Sequence, residues 1–486
     1  MNSERLVFSD PYVLGSKADH FGDLEIQFPR FEPAALPGLI AAVRERAKSV
    51  FAATSAEEIG NALNTVDAFF ADPSHPEVRA IVDLIQRTDG FSRHDIEHFG
   101  LGVFARLVRY DRGLIGRFVA ASFKTRRPVE TACGFLQRFG TDIPFRRWRE
   151  PEIVSHFVSG NVVGYSSILA RIGFPVKSGH GAAQIIKLPS TSAVFPMLYL
   201  DKLKAVAPAL RETIACGYWK GGDREIEDVI LAHSNAINIL GAESTLKDVR
   251  ARARRLCPRA AFLPHGHKIG AAYIARPFSD DPVLREHTMA GLVRDISAFD
   301  GAACYNTKNI YVQGDHRVFA ERLFERLERF AETESPVSPA AKPIGQALRR
   351  IHLGSGDVLT SSRGNAIVRI RDKAEFWLPD EAYRYVQVMP IENETALAAL
   401  LRKARPYLQT VVAAVSDEVL RAILGLFGNA GASNIHYPGS APLLNVYEEP
   451  HDGDFDFLKI RRPYRVRFAA TNFKRNSDWL EAKGSS

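Results

Sequence analysis

A chain of 486 residues can hold roughly two to four domains, each large enough to bury its own core, which excludes a small disulfide-stapled scaffold. Hydrophobic residues make up 46% and charged residues 24%, the balance of a folded globular protein and not of a disordered one. The net charge of +7 admits nucleic acid, an acidic surface or phosphorylated small ligands without choosing among them.

Basic residues gather at 250–259 and 461–467. The first cluster lacks interleaved aromatics, so a solvated helix face is the simpler account and no nucleic-acid partner is expected. Met1–Arg5 does not lead into a secretory apolar core, and no run approaches the ~18 apolar residues that span a bilayer. A cytoplasmic protein with no membrane span is expected. Cys133, Cys216, Cys257 and Cys304 are scattered without a C-x-x-C pair, which signals reduced thiols and neither a zinc knuckle nor a disulfide framework.

In chain order, Ser55-x-x-Glu58 has the form of a capping box, and Ile59, Leu63, Val66 and Phe70 follow at helical spacing. The first 130 residues are therefore predicted to be mainly a helical lead-in. From about Ile153 the rhythm changes to short β-rich runs at 153–158, 184–188, 236–240 and 309–313, separated by helical stretches. That alternation predicts a largely parallel α/β sheet. A helix is predicted with Val318, Phe319, Leu323, Leu327 and Phe330 on one face, ended by the proline-rich segment 334–343, which is predicted to be a surface linker. Further strands are predicted at 366–370, 385–389 and 464–469, and the tail 483–486 is expected to be disordered.

Four segments carry the chemistry: Val158-Ser-Gly-Asn-Val-Val-Gly164; Ile185-Ile-Lys-Leu-Pro-Ser-Thr191; Tyr218-Trp-Lys-Gly-Gly-Asp223 running on to Leu240-Gly-Ala-Glu-Ser244; and Pro264-His-Gly-His-Lys268 leading to Phe299-Asp-Gly-Ala-Ala-Cys304. In this order, with a weaker echo at Pro450-His-Asp-Gly453, they resemble the acyl-CoA reductase family typified by the fatty acid reductase of bacterial bioluminescence (LuxC), a branch of the aldehyde dehydrogenase superfamily. The resemblance covers about residues 150–315. It implies an α/β, aldehyde-dehydrogenase-like fold, with a Rossmann-type dinucleotide-binding domain and an α/β catalytic domain behind the helical lead-in. The expected division is 1–260 for lead-in and dinucleotide-binding domain, 261–435 for the thiol-bearing catalytic domain, and 436–486 for a C-terminal return segment able to serve as an oligomerisation arm. A homo-oligomer is expected.

Cys304 follows small residues that leave room for a planar ligand beside the sulfur. A thiol forms a reactive acyl thioester, and the resemblance makes Cys304 the nucleophile. Tyr305-Asn306-Thr307 departs from the Leu-Ser-Pro of the bioluminescence branch, which leaves the acyl pocket's shape open. Asn161, in a Ser-Gly-Asn turn, is a plain turn former or, by resemblance, an oxyanion donor alongside the Cys304 backbone N–H. Lys187 closes an apolar strand-like run, where open α/β sheets bind ligands; the resemblance sends it to the adenosine ribose or its phosphate, with Ser190 nearby. Gly241 and Ala242 follow a strand and open a helix, matching the turn that holds the cofactor, and Gly222 is a weaker cofactor candidate. No G-x-G-x-x-G occurs in these segments, so the cofactor is assigned by resemblance, which implies NADPH; the residues themselves leave NADH open.

His265 and His267 stand at i, i+2, but no third ligand at a recognisable spacing supports a metal, and none is expected. Aligned on Lys268, Pro264 takes the place of the glutamate that activates the deacylating water in aldehyde-oxidising relatives; a one-residue slip would make either histidine the base. The expected activity is reduction of an activated acyl group to an aldehyde through acyl-Cys304, the donor being acyl-CoA or an acyl-carrier or acyl-activating protein. Two other readings stay open. One is an NAD(P)-dependent aldehyde dehydrogenase making an acid or acyl-CoA, which the residue at 264 discriminates. The other is a catalytically inactive basic binding protein, against which Cys304, Asn161 and Lys187 together argue.

Overall fold

The computed structural model describes residues 4–13, 15–107, 148–164, 170–174, 181–379, 382–442 and 450–463. Cys133, the 464–469 run and the C-terminal tail lie outside the described residues.

The chain opens on β1 (Glu4–Val7), β2 (Gly15–Phe21) and β3 (Leu24–Arg30), a small sheet in the order β1-β3-β2. The lead-in is therefore not mainly helical at its start. β2 alternates half-buried and exposed residues, and β3 places Leu24, Ile26 and Phe28 inside, a period of two that the helical reading passed over. Helices follow at Leu36–Ala53, Ala56–Phe70 and Pro76–Asp89. The second begins with the capping box: Ser55 Oγ accepts from the Glu58 N–H, and Glu58 accepts from the Ser55 N–H. Its Ile59, Leu63, Val66 and Phe70 are all buried, as their spacing requires.

β4 (Trp148–Arg149) pairs with a late strand introduced below. Beyond it β5 (Ile153–Phe157), β6 (Ala183–Lys187), β7 (Ile214–Gly217), β8 (Ala236–Leu240) and β9 (Ala261–His265) form a five-stranded sheet in the order β7-β6-β5-β8-β9. All its pairs are parallel. Every residue of β5 is buried, as a strand covered on both faces must be. The helices Val194–Val206, Arg224–His233 and Glu243–Leu256 supply the crossovers from β6 onward.

The chain then changes sheets within three residues. β10 (Ile269–Ile274), β11 (Thr307–Val312), β12 (Val358–Thr360), β13 (Ile367–Ile370), β14 (Tyr385–Pro390), β15 (Leu408–Ala414) and β16 (Asn434–His436) make a seven-stranded sheet ordered β12-β13-β14-β11-β10-β15-β16. It is parallel except for the β12–β13 edge pair. β17 (Arg462–Pro463) returns to pair with β4, so the end of the described chain closes on the start of the five-stranded region.

Two sequence expectations change here. Val318 is 41% exposed, so the apolar face of the helix His316–Thr333 is Phe319, Leu323, Leu327 and Phe330. The segment 334–343 is not a surface linker: Ser335, Val337, Ser338 and Ala341 are buried. Its serines are spent on a buried polar network described below, a role that a proline-rich composition does not announce.

Asp10 anchors the N-terminal segment to β7. Its Oδ2 accepts from Arg211 at 2.7 Å and from the Cys216 N–H at 2.9 Å, with both side chains of the ion pair buried. Asp10→Ala strands a buried guanidinium and should lower stability by about 3–5 kcal/mol, read by urea denaturation; a loss under about 1 kcal/mol would show that the anchor is dispensable.

Candidate active site

The turn that carries Cys304 is built under strain. After the helix Pro282–Ser297, three consecutive residues adopt left-handed backbone: Phe299 (φ 50°), Asp300 (φ 55°) and Gly301 (φ 78°). Only Gly301 does so without a steric cost, and a Cβ there would also meet the Tyr383 carbonyl at 2.4 Å. What holds the other two is buried. Asp300 accepts from Arg384 at 2.9 Å and from the Ser338 N–H at 3.2 Å, and Phe299 packs edge-on to Phe91 at 5.2 Å. Asn306 closes the far side: it accepts from the Ala303 N–H at 2.6 Å and donates to the Asp295 carbonyl at 2.9 Å.

Cys304 faces a cavity of about 340 Å³ that is also lined by Asn161, Gly241, Ala242, His267 and Lys268. The three candidates, for nucleophile, oxyanion donor and cofactor turn, thus converge from separate parts of the chain. Asn161 accepts from Ser159 Oγ at 2.6 Å and gives one amide hydrogen to the Ala302 carbonyl at 2.8 Å, so it clamps the cysteine turn and retains a second hydrogen. A Cβ at Gly241 would meet nothing closer than Thr245, at 3.6 Å, so the surrounding protein does not itself demand glycine there. That openness suits close approach of a ligand to the turn before the helix Glu243–Leu256.

Lys187, Ser190 and Gly222 do not line this cavity. Lys187 ends β6 with its Nζ 5.6 Å from the Trp219 ring centroid, and burial pushes its ammonium below the usual lysine range. Ser190 is exposed. Gly222 is exposed too, with φ 83°, and donates its N–H to Glu227 at 3.0 Å. Lys17 lies 4.1 Å from the Tyr218 ring centroid and Lys187 6.0 Å, so two ammonium groups flank one aromatic ring.

A family profile for acyl-CoA reductase (LuxC) matches residues 132–462, about two thirds of the chain. The chain belongs to the LuxC acyl-CoA reductase family. It is thereby an oxidoreductase of aldehyde and acyl groups. Its fold is aldehyde-dehydrogenase-like. Methylmalonate-semialdehyde dehydrogenase from Oceanimonas doudoroffii is similar at 12% identity and TM-score 0.66, over 98% of this chain and 100% of that one. Aldehyde dehydrogenase 21 from Physcomitrella patens, solved with the product succinate, is similar at 13% and 0.63, over 97% and 100%. The Delta-pyrroline-5-carboxylate dehydrogenase of Mycobacterium tuberculosis, solved with NAD, is similar at 13% and 0.62, over 96% and 91%. No curated protein sequence matches the chain.

In this family member the thiol is not pre-ionised. Burial, then the Asp452 charge, pushes Cys304 up to about 12; its own backbone N–H, the Gln409 side chain and Lys268 pull the other way. Asp452 comes from the Pro450-His-Asp-Gly453 echo, which folds back onto His265. His265 Nδ1 meets Asp452 at 3.0 Å and its Nε2 meets Asp456 at 3.1 Å, while the His451 ring stacks on it at 3.7 Å. Spacing could not reveal this cluster, because its members are almost 190 residues apart. His265, His451 and Asp456 each offer a ligand atom within 4.8 Å of the others. The two rings, however, lie only 9° from parallel, so their in-plane lone pairs do not converge on one ion. The arrangement is a buried charge cluster that ties the 450–460 segment to the end of β9.

Burial alone would lower His265, but the hydrogen bonds and charges of Asp452 and Asp456 raise it to about 9 from 6.5. A raised histidine stabilises fully below its unfolded value and ceases to as pH passes its folded value. The depressed aspartates set the acid limit, their contribution fading as pH falls through the usual carboxylate range. Wild type should therefore lose its stability advantage over His265→Asn, about 3 kcal/mol, between pH 6.5 and about 9, as read by urea denaturation. A difference that stays constant from pH 6 to about 10 would mean the imidazolium is not what binds the segment.

Proposed function

We propose that the chain reduces an acyl thioester to the aldehyde, with Cys304 as covalent nucleophile and NADPH as reductant. The observation that carries this reading is the lining of the Cys304 cavity, which among the described residues includes no aspartate or glutamate. Pro264 stands on β9 where an oxidising relative would hold its water-activating carboxylate. An acyl-Cys304 thioester in such a site lacks the carboxylate that activates water in oxidising relatives, and its carbonyl remains electrophilic towards hydride.

Cys304 attacks the acyl carbonyl from the strained turn, and the second amide hydrogen of Asn161 with the Cys304 N–H faces the oxyanion that develops; each such donor contributes about 3–4 kcal/mol in a dry site. The residues fit a nicotinamide dinucleotide. Gly241 and Ala242 would take the pyrophosphate at a helix N-terminus, Lys187 and Ser190 the adenosine ribose, and Gly222 the edge of the same region. The bound dinucleotide would supply hydride. Lys17, which pairs with Asp19 at 2.7 Å, lies beside Lys187 and gives a second ammonium within reach of a 2′-phosphate, which is the ground for NADPH over NADH. On this reading the 1–260 region holds the cofactor and 261–435 carries the thiol, while the described 450–463 segment returns to β9. The acyl donor is acyl-CoA by family, with a carrier or acyl-activating protein as the other source of the same thioester or activated acyl group.

Incubation with acyl-CoA in the absence of NADPH should leave an acyl adduct on Cys304 by intact-mass spectrometry, and Cys304→Ala should show none. Rapid release of free acid, or an adduct on Cys133, Cys216 or Cys257, would overturn the reading. Lys187→Ala and Lys17→Ala should each weaken NADPH binding several-fold and NADH binding less, measured by fluorescence titration; equal effects on both would remove the 2′-phosphate assignment.

A further inference from the structure

β10 meets an irregularity on each side, at adjacent steps around Gly270. Towards β11, Gly270 pairs with Thr307 and Ala271 with Asn309, so Lys308 is left over. Towards β15, Ile269 pairs with Leu408 and Gly270 with Thr410, so Gln409 is left over. A bulge takes its extra residue out of the ladder and re-aims it, and bulges gather beside active sites. Both extra residues are buried and polar. Gln409 bonds the Cys304 thiol in the sense that favours the thiolate, so its amide N–H is the donor.

Lys308 lines the Cys304 cavity from beneath the strained turn. Its Nζ donates to the Tyr383 carbonyl, and a Cβ on Gly301 would lie 2.8 Å from that nitrogen. Among the described residues no ion pair involves it. The charged neighbours are otherwise engaged: on the turn, Asp300 is held by Arg384 and the Ser338 N–H. Just before β14, the Tyr383 hydroxyl bonds the Gly364 carbonyl. Across the cavity, Lys268 bonds the Pro406 carbonyl and Asp452 bonds His265. An ammonium buried without a counter-ion is costly, whereas a neutral amine is tolerated and accepts protons.

We propose that Lys308 is the acid–base partner of Cys304, taking the thiol proton as Sγ attacks a thioester carbonyl and returning it to the departing donor sulfur. The Sγ–C bond forms, the donor C–S bond breaks with its electron pair on the donor sulfur, and that sulfur receives the proton from the Lys308 ammonium. No electrons change hands in this half of the cycle. The assignment rests on Cys304 being the nucleophile of the proposed function. Burial alone lowers Lys308 to about 7, which leaves it able to cycle near neutral pH.

The test is alkylation of Cys304 by iodoacetamide in the full-length protein, followed by peptide mass from about pH 5 to 10. The wild-type rate should rise through about pH 7 and then level. Lys308→Met should lose that step and react about tenfold more slowly at about pH 8. In Lys308→Ala, added methylamine should restore the rate, which it would not do for a lysine that only fills space. Wild-type reactivity that climbs only towards pH 12, or a Lys308→Met profile equal to wild type, would overturn the proposal. Should the variants fail to fold, the wild-type profile decides alone. Alkylation needs neither acyl donor nor cofactor, so a normal lysine-dependent profile with no acyl adduct would sink the functional reading and leave the proton transfer standing.

Discussion

The buried ion pair between Asp300 and Arg384 is the constraint from which the Cys304 turn is suspended. Arg384 is fully buried on the segment leading into β14, and besides Asp300 it donates to the Ser335 carbonyl at 2.7 Å and the Ser335 hydroxyl at 3.0 Å. Ser335 in turn donates to Asp95 at 3.1 Å, which brings the helical lead-in into the same network. Left-handed backbone at Phe299 and Asp300 costs about 1–2 kcal/mol per residue. Stranding one member of a buried pair costs about 3–5 kcal/mol, so the pair is strong enough to hold the turn in its strained form. Burial raises Asp95 to about 7, the Arg384 charge opposing it, which marks the desolvation this network tolerates to fix one loop.

The turn delivers Cys304 to a place where its thiol is difficult to ionise. Dehydration and Asp452 work against the thiolate, while Gln409 and Lys268 work for it. A thiol held neutral in this way reacts through a proton acceptor and not as a standing thiolate. The two bulges beside β10 add Lys308 and Gln409 to the buried polar side chains of this sheet, among them Thr307, Asn309, Gln387 and Thr410. Ala271, Ala272 and Ile274 on β10 remain part of the apolar core.

The C-terminal segment completes the surroundings of the cysteine through charge. A second cavity of about 340 Å³ shares His265, Gly266, Lys268 and His451 with the first, so the stacked imidazoles form the partition between them. That partition rests on carboxylates drawn from 452–456, which makes closure of the site dependent on a short segment far along the chain. The helix Glu243–Leu256 shows the same dependence: Arg252, within the basic run read as a solvated face, is buried and binds Glu227 at 2.5 Å and Asp228 at 2.8 Å. Arg250, Arg254 and Arg255 on that helix do face outward.

Local chemistry was legible where a pattern is contained in a few residues. The capping box at Ser55, the buried face of the helix Ala56–Phe70 and the β5, β6 and β8 strands follow from spacing and side-chain type, because each is decided by neighbours one turn or one pleat away. The family, the fold and the candidates Cys304, Asn161 and Gly241 were legible from four short segments in order. Period-two burial in β3 was also present in the residues, but a helical reading of the lead-in obscured it. What only the tertiary structure decided is everything that depends on register and long-range return. Burial of the 335–341 segment depends on Arg384, and the bulges that free Lys308 and Gln409 exist only once β10 is paired on both sides. The charge cluster at His265 needs Asp452 and Asp456 to come back across the chain, and no spacing encodes an encounter between residues that only the folded sheets bring together.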